Sequence, residues 1–120
     1  MQTILLIEDD APIQELVRYN LEREGYSLVV AGDGLNGLEK AQQVKPDLIL
    51  LDLMLPGLDG YEVCRALRAD PATAAVPIIV LSARSEVIDK VLGLELGADD
   101  YMTKPFDPKV LLSKIKALIK

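Results

Sequence analysis

Five short apolar runs alternate along this chain with segments of helical periodicity, and that alternation leaves few folds open. The runs fall at about 3–8, 27–31, 47–52, 76–81 and 99–102, and the helical segments at about 11–24, 35–44, 60–69, 86–96 and 108–119. The helical segments carry apolar residues at spacings of three and four, as in Ile13, Leu16, Val17 and Leu21, or Val110, Leu111, Ile115 and Leu118. Pro12, Gly25, Pro46, Pro71, Gly97 and Pro108 punctuate their ends. Strands linked this way through helices run parallel, by right-handed crossovers, with helices on both faces of the sheet. The expected fold class is therefore α/β, a (βα)5 doubly wound parallel five-stranded sheet. A length of 120 residues, 50% of them hydrophobic, suits one domain spanning 1–120.

In such a sheet, ligands bind beyond the carboxyl ends of the strands, where strand order reverses. Those ends carry Glu8, Asp9 and Asp10 after Ile4-Leu5-Leu6-Ile7, Asp52 after Leu48-Ile49-Leu50-Leu51, then Ser82 and Lys104-Pro105. If the first and third strands are neighbours, Glu8, Asp9 and Asp52 meet at one edge. Carboxylates about 5 Å apart repel by roughly 3 kcal/mol per pair at an effective dielectric of about 20, so the cluster needs a cation or a proton. All-oxygen ligands favour a hard divalent ion such as Mg²⁺. Taken singly, a post-strand Asp or Ser is often a helix cap and a lone Lys is normally solvated. Asp10 is expected to act as such a cap.

The residues that are missing narrow the chemistry. There is no His, and Cys64 is alone, so a disulfide framework, a thiolate metal site and an imidazole base are all ruled out. Carboxylate, hydroxyl and lysine remain. The net charge of −6 argues against nonspecific nucleic-acid binding by the domain. Residues 1–60 hold 11 acidic and 4 basic side chains, whereas 61–120 hold 8 and 9, with Lys104, Lys109, Lys114, Lys116 and Lys120 near the end. Those lysines form either a solvated helix face or a partner surface. No apolar stretch approaches a membrane span and no leader precedes Ile4, so the expected location is cytoplasmic, away from the membrane.

Together the motifs resemble the receiver domain of bacterial two-component response regulators, over the whole chain. They are Ile7-Glu8-Asp9-Asp10, the stretch from Asp52-Leu53-Met54 to Leu58-Asp59-Gly60, Ser82-Ala83, and Tyr101-Met102-Thr103-Lys104-Pro105-Phe106. Leu96-Gly97-Ala98-Asp99-Asp100-Tyr101 looks most like the subfamily whose output is a winged-helix DNA-binding domain. The resemblance implies a flavodoxin-like strand order, 2-1-3-4-5. It implies that Asp52 accepts a phosphoryl group from a sensor histidine kinase, with Mg²⁺ held by Glu8, Asp9, Asp52 and the backbone carbonyl of Met54. Lys104 would pair with Asp52 and then with the phosphoryl oxygens, Ser82 would donate a hydrogen bond to them, and the bond before Pro105 would be cis.

The implied role is a phosphorylation-controlled switch, not an enzyme acting on external substrates. Ser82 and Tyr101 would relay the change to the face of the 86–96 helix, the fifth strand and the last helix. That face would form a homodimer through Lys90, Val91, Leu94, Glu95, Asp99, Asp100, Lys109, Leu112 and Lys114, and DNA would be reached only through a C-terminal output domain. One departure is Val110, where the subfamily usually has an acidic residue opposite a basic one like Lys90. Met54, two residues after Asp52, has no strong donor or acceptor to orient a hydrolytic water, and Arg84, two after Ser82, is long enough to cover the approach and pair with the phosphoryl oxygens, so a long-lived phosphorylated state is expected.

Two other readings stay open at this point. Gly32-Asp33-Gly34-Leu35-Asn36-Gly37 fits the Gly-x-Gly-x-x-Gly of dinucleotide-binding domains, but it leaves Glu8-Asp9 and Lys104-Pro105 unexplained. A Mg²⁺-dependent phosphatase with Asp52 as nucleophile usually has a second Asp two residues later, and here that residue is Met54.

Overall fold

Every strand of the sheet is parallel to its neighbours, and the spatial order is β2-β1-β3-β4-β5. The computed structural model describes residues 1–55, 57–83 and 97–119. In chain order the elements are β1 (Thr3–Ile7), α1 (Ala11–Arg23), β2 (Ser27–Ala31), α2 (Gly34–Val44), β3 (Leu48–Asp52), α3 (Gly60–Ala69), β4 (Ile78–Ser82), β5 (Asp100–Thr103) and α4 (Pro108–Leu118). The helix expected over 86–96, with Lys90, Val91, Leu94 and Glu95, lies outside the described residues, as does Arg84.

The central strands read as unbroken apolar runs because both faces of the sheet are covered. Side chains alternate between the faces, so Leu5, Ile7, Ile49, Leu51, Ile78 and Val80 pack with Ala41 of α2 and with Val63, Cys64 and Leu67 of α3. Ile4, Leu6, Leu48, Leu50, Ile79 and Leu81 pack on the other side with Val17 and Leu21 of α1 and Leu111 and Ile115 of α4. Each such side chain, fully buried, contributes roughly 1.5–3 kcal/mol of transfer free energy.

Three helices begin on an aspartate whose side chain accepts from the helix's own backbone: Asp33 from Asn36, Asp59 from Glu62 and Asp107 from Lys109. Asp10 holds the equivalent position on α1 but makes no such bond, which corrects its expected role as a side-chain cap. Pro12 removes one of the amides that a cap would reach.

Strand order reverses between β1 and β3, since β1 pairs with β2 on one side and with β3 on the other. The carboxyl ends of these strands frame the crevice that holds the acidic residues.

Candidate functional site

Glu8 follows β1 directly, and its backbone N–H donates to Ala31 O at 3.0 Å, which holds it against the end of β2. Its side chain is wholly buried, with 0% exposure. Asp52, the last residue of β3, is 2% exposed. Asp9, between them, is exposed. One carboxylate oxygen from each of the three lies within 4.8 Å of the others, so the structure brings together the trio expected from the sequence.

Two bonds orient Asp52. Met54 N–H donates to its Oδ1 at 3.0 Å, and Lys104 Nζ lies 3.3 Å from its Oδ2. The same ammonium donates to Glu8 Oε1 at 2.6 Å, so Lys104 bridges the two buried acids. The backbone positions that lysine. Lys104 N–H donates to Ser82 O at 2.7 Å, extending the β4–β5 ladder, and the Lys104-Pro105 peptide bond is cis as expected. Ser82, at the end of β4, is 6% exposed. Gly60, first in α3, sits so close to Asp52 O and the Leu53 backbone that any Cβ there would collide with them. Only glycine lets α3 start so near the end of β3.

Burial is the largest influence on Glu8 and pushes its carboxyl up to about 7; the Lys104 hydrogen bond opposes this, while neighbouring Asp52 adds to it. Burial pulls the Lys104 ammonium down, but the hydrogen bond to Glu8 and the charges of Asp52 and Glu8 outweigh it, so its pKa is raised. At neutral pH the site thus holds a firmly protonated lysine between carboxylates, one of which is poised to bind or release a proton. An acidic, all-oxygen donor set of this kind suits a hard divalent cation, which would relieve the same repulsion.

Other expected residues fall in varied settings. The Met54 side chain is 56% exposed. Tyr101 is half-buried and packs against the core on the α2–α3 side of the sheet. Lys114 pairs with Asp100 at 2.9 Å within the chain, Lys109 is exposed, and Leu112 is half-buried. Asp99 is drawn into the chain's own bonding: its Oδ2 accepts from Arg68 Nη2 and from Ile78 N–H, each at 2.8 Å. Gln14, which the sequence singled out for nothing, donates from Nε2 to Glu8 O at 2.6 Å. A lone Gln six residues after Glu8, on the far side of a turn, carries no readable signal.

A family model described as the response regulator receiver domain matches residues 4–116. The chain belongs to the response regulator receiver family. It is 53% identical over 117 residues to the alkaline phosphatase synthesis transcriptional regulatory protein PhoP of Bacillus subtilis, covering 98% of this chain and 48% of that protein. It is 48% identical over 119 residues to the DNA-binding response regulator MtrA of Mycolicibacterium paratuberculosis, covering 99% of this chain and 52% of that one. The chain thus spans about half the length of these relatives. The crystallized chemotaxis protein CheY4 of Vibrio cholerae superposes with a TM-score of 0.93 at 30% identity, covering 99% of both chains.

As a receiver, the chain has no call for the dinucleotide reading of its glycines. Added Cβ atoms at Gly34 and Gly37 would press on Leu58 and Val63 and on Ile7, so these glycines let α2 pack closely. Membership likewise sets aside the phosphatase reading and identifies a signalling protein. Among the described residues, no helix is long and apolar enough to cross a membrane.

Proposed function

We propose that this receiver takes a phosphoryl group onto Asp52 from a phosphohistidine of a sensor kinase, with Mg²⁺ at Glu8, Asp9, Asp52 and the Met54 carbonyl. The observation that carries this reading is the buried Asp52 carboxylate, held by Met54 N–H and Lys104 Nζ at the centre of a metal-competent acidic trio. When bound, Mg²⁺ supplies positive charge to the oxygens of the transferring group. An Asp52 oxygen forms the new bond to phosphorus as the phosphorus–nitrogen bond breaks, and that electron pair returns to the donor imidazole. Lys104 stays beside the new acyl phosphate and pairs with its oxygens, joined by the Ser82 hydroxyl. Asp52 stores the group and turns nothing over on an external substrate beyond its own phosphorylation and dephosphorylation.

The partner would approach over a groove of about 410 Å³ beside Lys104, walled by Ile13, Leu16, Ala83, Pro105 and Phe106. A phosphoryl group adds about −1.5 to −2 charges and three acceptor oxygens, enough to draw Ser82 inward and let Tyr101 follow. Moving such an equilibrium from 1:99 to 99:1 takes about 5.5 kcal/mol of differential stabilisation. The response would reach the face of β5 and α4, where Asp100, Lys109, Leu112 and Lys114 favour a homodimer. A C-terminal DNA-binding output domain joined to this receiver would read out the dimer and regulate transcription from the cytoplasm.

Incubation with acetyl phosphate and Mg²⁺ is expected to add one acid-stable, base-labile phosphoryl group, seen by intact mass, and EDTA is expected to prevent it. Undiminished incorporation in EDTA would refute the metal's part.

A further inference from the structure

The three acids of the site are not held alike. Glu8 is fixed by Lys104, and Asp52 by Lys104 and Met54 N–H. The Asp9 side chain makes no hydrogen bond or ion pair to any described residue, and it is exposed. Its place is therefore set by the backbone of the turn between β1 and α1. That turn is gripped from both sides by one residue. Gln14 Nε2 donates to Glu8 O at 2.6 Å, and Gln14 N–H donates to Asp10 O at 3.0 Å, so a single residue of α1 ties down the carbonyls before and after Asp9.

We propose that Gln14 is a positioning residue for the metal site: its side-chain amide, by holding the Glu8 carbonyl, keeps the Asp9 carboxylate where it can share a cation with Asp52. This rests on the reading of the acidic trio as a metal site. The amide also satisfies a carbonyl that follows the strand into a buried position, where an unpaired acceptor is costly. Asp10 N–H also donates to Glu8 Oε2, but at a long 3.3 Å, so without the Gln14 amide the peptide joining Glu8 to Asp9 loses the shortest bond that orients it. Groups that orient ligands in this way typically change metal affinity by about tenfold or more when removed.

The test compares the parent with Gln14→Met, which keeps a long unbranched side chain and comparable helix propensity but has no N–H donor. Free Mn²⁺, followed by its paramagnetic resonance signal, gives the dissociation constant. The expected result is a rise of about tenfold in the variant, with the rate of acetyl phosphate labelling restored to near the parent's at saturating Mg²⁺. A merely structural glutamine would lower the unfolding midpoint and leave the Mn²⁺ constant unchanged, and that result would overturn the proposal. A parent protein that binds no Mn²⁺ would instead refute the reading of the site itself. A second measurement needs no variant: in the parent, the Gln14 side-chain amide signal should shift with added Mg²⁺ along the same binding curve as the Asp9 backbone amide. An amide signal that stays put would also overturn the role.

Discussion

Asp52→Asn is expected to abolish labelling by acetyl phosphate, because an amide oxygen at this position is no nucleophile. The same variant should be more stable than the parent without metal, by about 1 kcal/mol, since it relieves repulsion between buried acids. Asp52 raises the Glu8 pKa both by hydrogen bonding and by charge, so Glu8 should ionise more readily in the variant. Lys104 keeps its shorter bond to Glu8, at 2.6 Å against 3.3 Å to Asp52, so the ammonium is not orphaned. Labelling retained in Asp52→Asn, measured by intact mass, would remove Asp52 from the chemistry. A loss of stability in urea unfolding would mean that the Asp52–Lys104 attraction exceeds the repulsion it offsets.

Lys104→Met should cost the metal-free protein the most. It leaves Glu8 and Asp52 buried without a counter-charge, and removing one partner of a buried pair typically costs about 3–5 kcal/mol. Glu8 relieves part of this by keeping a proton. Its folded pKa is already raised to about 7 from 4.5, and it should rise further once the lowering influence of Lys104 is gone. Below pH 4.5 Glu8 is protonated in both the folded and the unfolded chain, so its titration adds no penalty. Between 4.5 and the folded value the folded chain binds more protons, so stability falls as pH rises, by up to about 1.4 kcal/mol per unit. The variant's deficit should therefore be small at pH 5 and large at pH 8 in urea unfolding with EDTA, and Mg²⁺ at pH 8 should restore much of it. A deficit independent of pH would show that Glu8 does not absorb the lost charge.

Most of the fold was legible because both faces of the sheet are covered, so each buried strand declares itself as a run of Ile, Leu and Val. The acidic trio was legible for the same reason, since residues that end adjacent parallel strands must share an edge. Strand limits were less so. The fourth apolar run begins at Val76, but β4 starts at Ile78, because hydrophobicity marks burial rather than membership of the ladder; the Val76 carbonyl instead accepts from Arg68 Nη1 at 2.6 Å. The sequence does not show that Asp99, expected on a partner-facing surface, also meets Arg68, 31 residues earlier in the chain. No local pattern encodes a contact of that separation. Nothing local marks Gln14 either, since its bond to Glu8 O depends on the path of the turn before α1.

The most direct test of Asp52 as phosphoacceptor is to trap the acyl phosphate chemically. Borohydride reduces an acyl phosphate to an alcohol, so protein treated with acetyl phosphate and Mg²⁺, then reduced and digested, should yield one peptide in which residue 52 has become homoserine. Peptide mass spectrometry reads the position. Homoserine at 52 alone is the expected result; reduction at residue 9 or 10 instead, or at none, would contradict the central assignment.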